Sequence, residues 1–299
     1  MNPLNRFDRL PTEQPNPSSR DLDGLSPQKL VDLMNKEDAR PARAAAREKE
    51  NIVKAVQLIV HSLKRGGRLF FVGAGTSGRL CVMEAAECPP TFNTPPDLIQ
   101  AIMAGGPQAV FRSQEGAEDR ALEAKKAVRK KARRGDVVVG VAASGVTPFA
   151  LAALGAARKM GARTVLVTCN PASSPKNLAD VLIAPYAGPE ILTGSTRLKA
   201  GTVTKMILNM LTTLSMVRLG KAYKHWMVDL QPRSEKLVAR GLRLIRELGK
   251  VSDEEARDIF RSSGGRVKTA ILMARKDLSR REAERRMKRS GGFLGKALR

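Results

Sequence analysis

The sequence predicts a doubly wound α/β domain, in which helices cover both faces of a parallel sheet. Short segments rich in Val, Ile and Leu alternate along the chain with longer segments of helical spacing. The short segments are mostly apolar throughout, as expected for parallel strands that are buried on both faces. The chain has 299 residues, more than one ordinary domain needs, so we also expect a smaller accessory unit.

The predicted elements follow one another in a regular order. A helix is predicted from Ser26, and a second helix, from Ile52 to Leu63, ends before Gly66 and Gly67. Five strands are predicted after it: RLFFV at 68–72, LIQAIM at 98–103, DVVVGVA at 136–142, RTVLVTC at 163–169 and DVLIA at 180–184. The helices between and after these strands are predicted at 78–87, 118–134, 148–159 and 198–219.

The C-terminal part of the sequence is predicted to be helical. No strand pattern follows Asp229, and the capping-box pairs Ser252 with Glu255 and Ser279 with Glu282 mark two helix starts. We therefore expect four regions. They are a flexible arm at 1–25, helices that pack on the core at 26–63, the α/β domain at 64–224 and a three-helix unit at 235–299.

The composition limits the classes of function. Lys and Arg number 53 against 29 Asp and Glu, a formal net charge of +24, which would attract nucleic acid or anionic metabolites. The basic residues concentrate in predicted amphipathic helices at 125–134 and 275–289, and only 4% of residues are aromatic, too few for a base-stacking surface. Nucleic-acid contact is therefore not expected to be the main function. Without a long apolar run or a signal-peptide pattern, we expect no membrane span and a cytoplasmic protein.

The cysteines and histidines do not suggest a metal site. Cys81, Cys88 and Cys169 are far apart and surrounded by apolar residues, so we expect them to be buried side chains. His61 and His225 each lack a second ligand at metal spacing. We expect neither a metal nor a cofactor.

Three loops contain the small and hydroxylated residues that bind phosphate. They are GAGTSG at 73–78, ASGVTP at 143–148 and GSTRLKAG at 194–201, and ligands in such sheets bind beyond the carboxyl ends of the strands. A dinucleotide motif also fits the first loop, but LIQAIM does not end in the acidic residue expected about 20 residues later. Two such loops favour a phosphomonoester. The candidate binding residues are Gly75, Thr76, Ser77, Ser144, Gly145, Thr147, Ser195, Thr196, Arg197 and Lys199.

Two glutamates near these loops are candidate catalytic residues. Glu87 precedes the sequence CPP, and Glu118 lies in EGAED together with Glu115. A glutamate near a helix end is usually only solvated. Elimination beside a carbonyl, however, needs one carboxylate to take a carbon-bound proton and an acid to protonate the departing oxygen.

Several longer motifs resemble those of the N-acetylmuramic acid 6-phosphate etherases. They are GAGTSGRL at 73–80, AAECPPTF at 85–92, EGAED at 115–119, ASGxTP at 143–148, TCNP at 168–171 and TGSTRLKAGT at 193–202. The resemblance implies a sugar isomerase (SIS) domain, a homodimer with sites near the subunit interface, a helical tail and a lyase of amino-sugar catabolism and peptidoglycan recycling. It implies that the D-lactyl ether of the sugar phosphate is cleaved by elimination and then hydration, giving N-acetylglucosamine 6-phosphate.

The resemblance also assigns roles to individual residues. Glu87 corresponds to the acid that protonates the lactate oxygen, and Glu118 corresponds to the base that takes the C2 proton. Ser77, Ser144 and Thr147 would hold the 6-phosphate. Arg197 and Lys199 would neutralise the phosphate or the lactate carboxylate.

Two departures from the family pattern and two other functions stay open. Val146 stands where the family usually has Arg, and Glu84 stands where it has Asp. The loss of the arginine would weaken a substrate contact or alter selectivity. On the same fold, the chain could instead be a non-catalytic sugar-phosphate sensor, or an isomerase that yields a ketose phosphate.

Overall fold

The computed structural model describes residues 7–172 and 178–299, and it contains a five-stranded parallel sheet. The strands are β1 (Leu69–Gly73), β2 (Ile99–Met103), β3 (Val137–Val141), β4 (Arg163–Val167) and β5 (Val181–Ile183). All five predicted strands are confirmed. The helices up to β5 are α1 (Pro27–Asp38), α2 (Arg40–Arg47), α3 (Lys49–Lys64), α4 (Gly75–Phe92), α5 (Gln108–Phe111), α6 (Ala121–Lys131) and α7 (Pro148–Lys159). Those after it are α8 (Lys199–Arg218), α9 (Glu235–Gly249), α10 (Asp253–Ser262), α11 (Val267–Lys276), α12 (Arg280–Arg289) and α13 (Leu294–Ala297).

The strand order is β2-β1-β3-β4-β5, which places the change of winding direction between β1 and β3. These two strands are neighbours, with Gly73 at the end of β1 paired to Val141 at the end of β3. Ligands in doubly wound sheets bind at this switch point, beyond the carboxyl ends of the strands. The first two predicted phosphate loops leave the sheet here.

Both faces of the sheet are buried, which explains the apolar strand sequences. Alternate strand residues, such as Phe70 and Val138, pack with Phe149 and Leu154 of α7 in one cluster of the core. The residues between them, including Phe71, are also buried, and α3 contacts β3 and β5. The doubly wound α/β class is confirmed.

Three helical segments differ from the prediction. Helix α4 begins at Gly75 and runs to Phe92, through Pro89 and Pro90, although a proline inside a helix normally removes a hydrogen bond and ends it. The segment predicted as helix from residue 118 first forms a short 3-10 turn, Ala117–Asp119, and α6 starts only at Ala121. The C-terminal segment contains α9 and the short α13 in addition to the three helices predicted from the sequence.

The chain divides into two compact units. The first comprises residues 1–86 and 97–212 and contains the sheet; the second comprises 87–96 and 213–299. The second unit has its own apolar core, to which Leu244, Ile271 and Leu294 contribute. Both predicted capping boxes, at Ser252 and Ser279, are formed and begin α10 and α12. Within the described ranges, no helix has both the length and the apolar character needed to cross a bilayer.

Candidate active site

The first phosphate loop is a tight turn that depends on glycine. A Cβ atom at Gly78 would lie 2.7 Å from the carbonyl oxygen of Gly73, and one at Gly73 would lie 2.9 Å from the backbone nitrogen of Gly78. Gly75 has a positive φ of 53°, which side-chain-bearing residues rarely adopt. The close approach of strand and helix leaves Thr76 and Ser77 half-buried in the first turn of α4, where helix N–H groups favour an anion.

The second loop connects β3 to α7 and is held by hydrogen bonds from the end of β4. Gly145 is buried with a positive φ of 74°, and its N–H donates to Ala142. The Asn170 side chain donates to the carbonyl of Ser144 at 2.9 Å, and the Thr168 hydroxyl donates to that of Ala143 at 3.2 Å. These contacts fix the backbone of the loop from the neighbouring strand.

The hydroxyl groups of this second loop lie at the start of α7. Ser144 and Thr147 are half-buried, and Thr147 is the residue before the helix, yet its side chain forms no capping hydrogen bond. Pro148 occupies the first helical position, where its missing N–H has no consequence. Val146 donates its N–H to the Ser144 hydroxyl at 3.4 Å, so this residue supplies a backbone contact and no charge.

The third loop has a different character, because its helix start is already capped. The carboxylate of Glu190 accepts the N–H of Lys199 at 3.0 Å and that of Ala200 at 2.9 Å. Burial raises the pKa of Glu190. The two hydrogen bonds and the nearby charge of Lys199 act to lower this pKa, but the effect of burial is larger. A protein carboxylate thus occupies the place at α8 where a phosphate could otherwise bind.

Lys199 lies in a buried ion pair. Its side chain is 1% exposed, and its ammonium donates a hydrogen bond to Glu37 of α1, which is fully buried. Asn16 also donates a hydrogen bond to Oε2 of Glu37, at 2.8 Å. The guanidinium of Arg40 lies 2.9 Å from Oε1 of Glu37 and forms an ion pair with it, but the geometry is not that of a hydrogen bond. Burial acts to raise the pKa of Glu37, but the hydrogen bonds from Lys199 and Asn16 outweigh it, and the pKa is lowered.

The first and third loops lie side by side. A Cβ atom at Gly201 would be 3.7 Å from the methyl carbon of Thr76 and 3.6 Å from the carbonyl oxygen of Thr196. Ser195 and Thr196 are half-buried, whereas Arg197 is exposed. The two loops therefore approach each other at Thr76 and Gly201.

Glu118 borders a small cavity beside the first loop. The cavity has a volume of about 150 Å³ and is lined by Gly75, Arg79, Met103, Glu115 and Glu118, among others. Glu118 is exposed and lies in the 3-10 turn before α6, preceded by Gly116 with a positive φ of 68°. The turn presents this carboxylate next to the phosphate loop rather than along the side of a helix.

The second predicted glutamate, Glu87, is exposed on α4 and belongs to the second unit. It does not line the cavity that contains Glu118. Glu84, one turn earlier, is instead buried in the first unit, where it accepts hydrogen bonds from Asn209 at 2.6 Å and from Thr212. The buried Glu84 carboxylate therefore attaches α4 to α8.

The three cysteines are buried, as predicted. Burial raises the pKa of the Cys169 thiol to about 12, and it also raises the pKa of Cys81. Thiols in such surroundings are poor nucleophiles.

Comparison with known proteins agrees with this architecture. Residues 51–158 match the family model described as the glucokinase regulatory protein N-terminal SIS domain. The chain is 48% identical over 299 residues to the N-acetylmuramic acid 6-phosphate etherase of Synechocystis sp., covering 100% of this chain and 98% of the relative. The chain belongs to the N-acetylmuramic acid 6-phosphate etherase family.

Other members of the etherase family match over similar lengths. The etherase of Rhodopirellula baltica is 44% identical over 296 residues, covering 99% of this chain and 98% of the relative. That of Geobacillus thermodenitrificans is 45% identical over 296 residues, covering 98% and 99%. The resemblance inferred from the sequence motifs is confirmed.

The sequence analysis missed four residues around the site. Glu37, Asn16 and Glu190 fix the third loop, and Arg79 lines the cavity of Glu118. Arg79 could have been found, because it follows the glycine turn by a single residue in GAGTSGRL. The partners of Lys199 could not have been found, because Glu37 lies 162 residues away and nothing in the sequence of its helix indicates that the two residues form an ion pair.

Proposed function

We propose that the protein is a carbon–oxygen lyase that cleaves the D-lactyl ether of N-acetylmuramic acid 6-phosphate by elimination and then hydration. The products are N-acetylglucosamine 6-phosphate and D-lactate. Family membership over the whole chain supports this reaction. The observation that carries it is the cavity in which the Glu118 carboxylate lies beside the glycine turn of the first phosphate loop.

The open-chain aldehyde of the sugar makes the C2 proton acidic, because the resulting charge is delocalised onto the aldehyde oxygen. Glu118 takes this proton, the bond between C3 and the ether oxygen breaks, and Glu87 gives its proton to the departing lactate oxygen. Glu87 then takes a proton from water, whose hydroxide adds to C3 while C2 regains a proton. The exposed position of each carboxylate supports its access to a substrate and to water.

The 6-phosphate is held by neutral donors in this proposal. The hydroxyls and N–H groups at the starts of α4 and α7 complement a dianion without a formal charge. They come from Gly75, Thr76, Ser77, Ser144 and Thr147, with Ser195 and Thr196 beside them, whereas Gly145 shapes the loop and its N–H already donates to Ala142. Arg197 is exposed and remains a candidate for contact with either anionic end of the substrate. Lys199 is not included, because Glu37 already neutralises its buried ammonium.

The proposal is tested by measuring D-lactate release from N-acetylmuramic acid 6-phosphate. We expect the unmutated protein to release lactate. Glu118→Gln should bind the substrate but lower kcat by about 10²- to 10⁴-fold, the usual contribution of a general base. Glu115→Gln is the matched control, since Glu115 lines the same cavity, and it should retain most of the activity.

Two other functions on this fold predict different outcomes. A sugar-phosphate sensor would bind the compound and release no lactate, and an isomerase would form a ketose phosphate from a sugar phosphate without lactate. Either result for the unmutated protein would reject the lyase reaction. A main role in nucleic-acid binding would appear as affinity that survives high salt, because purely electrostatic binding falls steeply with salt concentration.

A cytoplasmic homodimer is part of the same proposal. Val31 and Met34 lie three residues apart on α1 and are exposed, and apolar side chains on one side of an exposed helix are typical of interaction surfaces. Light scattering should then give a mass of twice 32.4 kDa.

A further inference from the structure

Arg79 is the single cation lining the cavity that contains Glu118, as far as the described residues show. It lies on α4, one residue after the glycine turn, and its side chain is half-buried. The other charged groups at this cavity are two carboxylates, those of Glu115 and Glu118. An anion entering the cavity would therefore be repelled unless Arg79 binds it.

The Arg79 guanidinium is held in place and keeps most of its donors available. Its Nε donates to the carbonyl oxygen of Val110 at 2.9 Å, which fixes the plane of the group. It forms no ion pair with any residue of 7–172 or 178–299. Since a guanidinium has five N–H donors, the two terminal nitrogens are left for a ligand, and this fork matches a carboxylate.

The substrate of the proposed lyase reaction presents such a carboxylate at this position. The lactyl carboxylate is joined through one carbon to the ether oxygen on C3, and C3 is bonded to C2, whose proton Glu118 removes. The carboxylate must therefore lie close to Glu118 during the reaction. We propose that Arg79 binds the lactyl carboxylate and so selects 3-O-lactyl sugar phosphates over amino-sugar phosphates that lack this group.

This inference rests on the proposed function, and it names the residue that determines which substrates the site accepts. The carboxylate is also the charge closest to the oxygen that becomes negative as the C3–O bond breaks. A guanidinium bound to the carboxylate reduces the repulsion between these two charges, so it stabilises the transition state as well as the bound substrate. Loss of Arg79 should accordingly raise KM and lower kcat.

The experiment compares two substrates on the unmutated protein and on three variants. The substrates are N-acetylmuramic acid 6-phosphate and its lactyl methyl ester, which keeps the ether but has no charge. In Arg79→Gln, kcat/KM for the acid should fall by about 10- to 100-fold, as expected for a hydrogen-bonded charge pair, and kcat/KM for the ester should change by less than about 2-fold. Arg79→Lys keeps the positive charge but loses the fork, so its kcat/KM for the acid should lie between the values of Arg79→Gln and of the unmutated protein. Arg112→Gln removes an exposed arginine that does not line the cavity, and it should have no effect.

Two results would overturn the assignment. Equal losses for the acid and the ester, together with weaker binding of N-acetylglucosamine 6-phosphate, would mean that Arg79 binds the phosphate. Equal losses with a lowered melting temperature would mean that Arg79 acts only through its contact with Val110. If the unmutated protein releases no lactate, the lyase proposal fails, but calorimetric binding of the acid and the ester still tests Arg79 separately.

Discussion

Replacement of Lys199 by Met tests whether this residue stabilises the fold or binds substrate. The substitution removes the ammonium but keeps a side chain of similar size, and it leaves the fully buried Glu37 with Asn16 and Arg40. Breaking a buried ion pair costs about 3–5 kcal/mol. Arg40 still provides a partly exposed positive charge, so we expect the lower end, about 3 kcal/mol. For a unit of about 200 residues this corresponds to a decrease in melting temperature of about 6–12 °C.

Thermal unfolding and lactate release are measured on the same preparations, with activity assayed well below both melting temperatures. The double variant Glu37→Gln with Lys199→Met removes both charges and should recover most of the lost stability, because Gln can still accept the hydrogen bond from Asn16. Lys205→Met is the matched control on the exposed side of the same helix and should change the melting temperature little. Our interpretation is refuted if Lys199→Met melts like the unmutated protein while KM for the sugar phosphate rises sharply.

Two further predictions concern the glycine turn and the acid range. Gly78→Ala places a Cβ 2.7 Å from a backbone oxygen, so it should lower the free energy of unfolding by about 1–3 kcal/mol and abolish lactate release. Gly155→Ala is the control, because its Cβ would be 3.5 Å from the nearest neighbouring atom, and it should have neither effect. An active Gly78→Ala would contradict this geometry. Burial acts to raise the pKa of Asp180, but hydrogen bonds from Thr164 and Arg163 outweigh it, and the pKa is lowered. Asp180 therefore contributes its full stabilisation above the unfolded pKa of 3.8, and this contribution is lost as the pH falls below 3.8 and through the lower pKa of the folded state. Urea midpoints between pH 5 and pH 3 should therefore fall less in Asp180→Asn than in the unmutated protein, and parallel curves would show that Asp180 contributes nothing.

The sequence predicted what depends on local patterns. Each strand was located because its apolar run is bounded by glycine or polar residues, and the capping boxes at Ser252 and Ser279 were found because both partners lie within one helical turn. The glycine turn was found for the same reason, since Gly73 and Gly78 meet across a few residues. Residues that interact over a short sequence separation occur at a characteristic spacing, which can be recognised in the sequence.

Contacts between segments that are far apart in the sequence have no such characteristic spacing, so they were not predicted. The third loop has the same composition of Gly, Ser, Thr and basic residues as a phosphate loop, but Glu190 caps its helix and Glu37 neutralises Lys199. Neither carboxylate is marked in the sequence as the partner of this loop. The end of α4 was misplaced for a related reason: the helix continues through Pro89 and Pro90, where local propensity predicts a stop.

The charges of the site follow from these contacts. The two open loops offer neutral groups to the proposed phosphate, Val146 supplies no cation there, and the charge of Lys199 is used inside the fold. The net charge of +24 attracts a sugar phosphate that is anionic at both ends from a distance, but exposed charges separated by more than a Debye length are screened and cannot distinguish these two ends. That distinction needs a fixed, half-buried cation near the reacting carbons. Within the described residues Arg79 meets this requirement, so the specificity of the site depends on one guanidinium in a strongly basic protein.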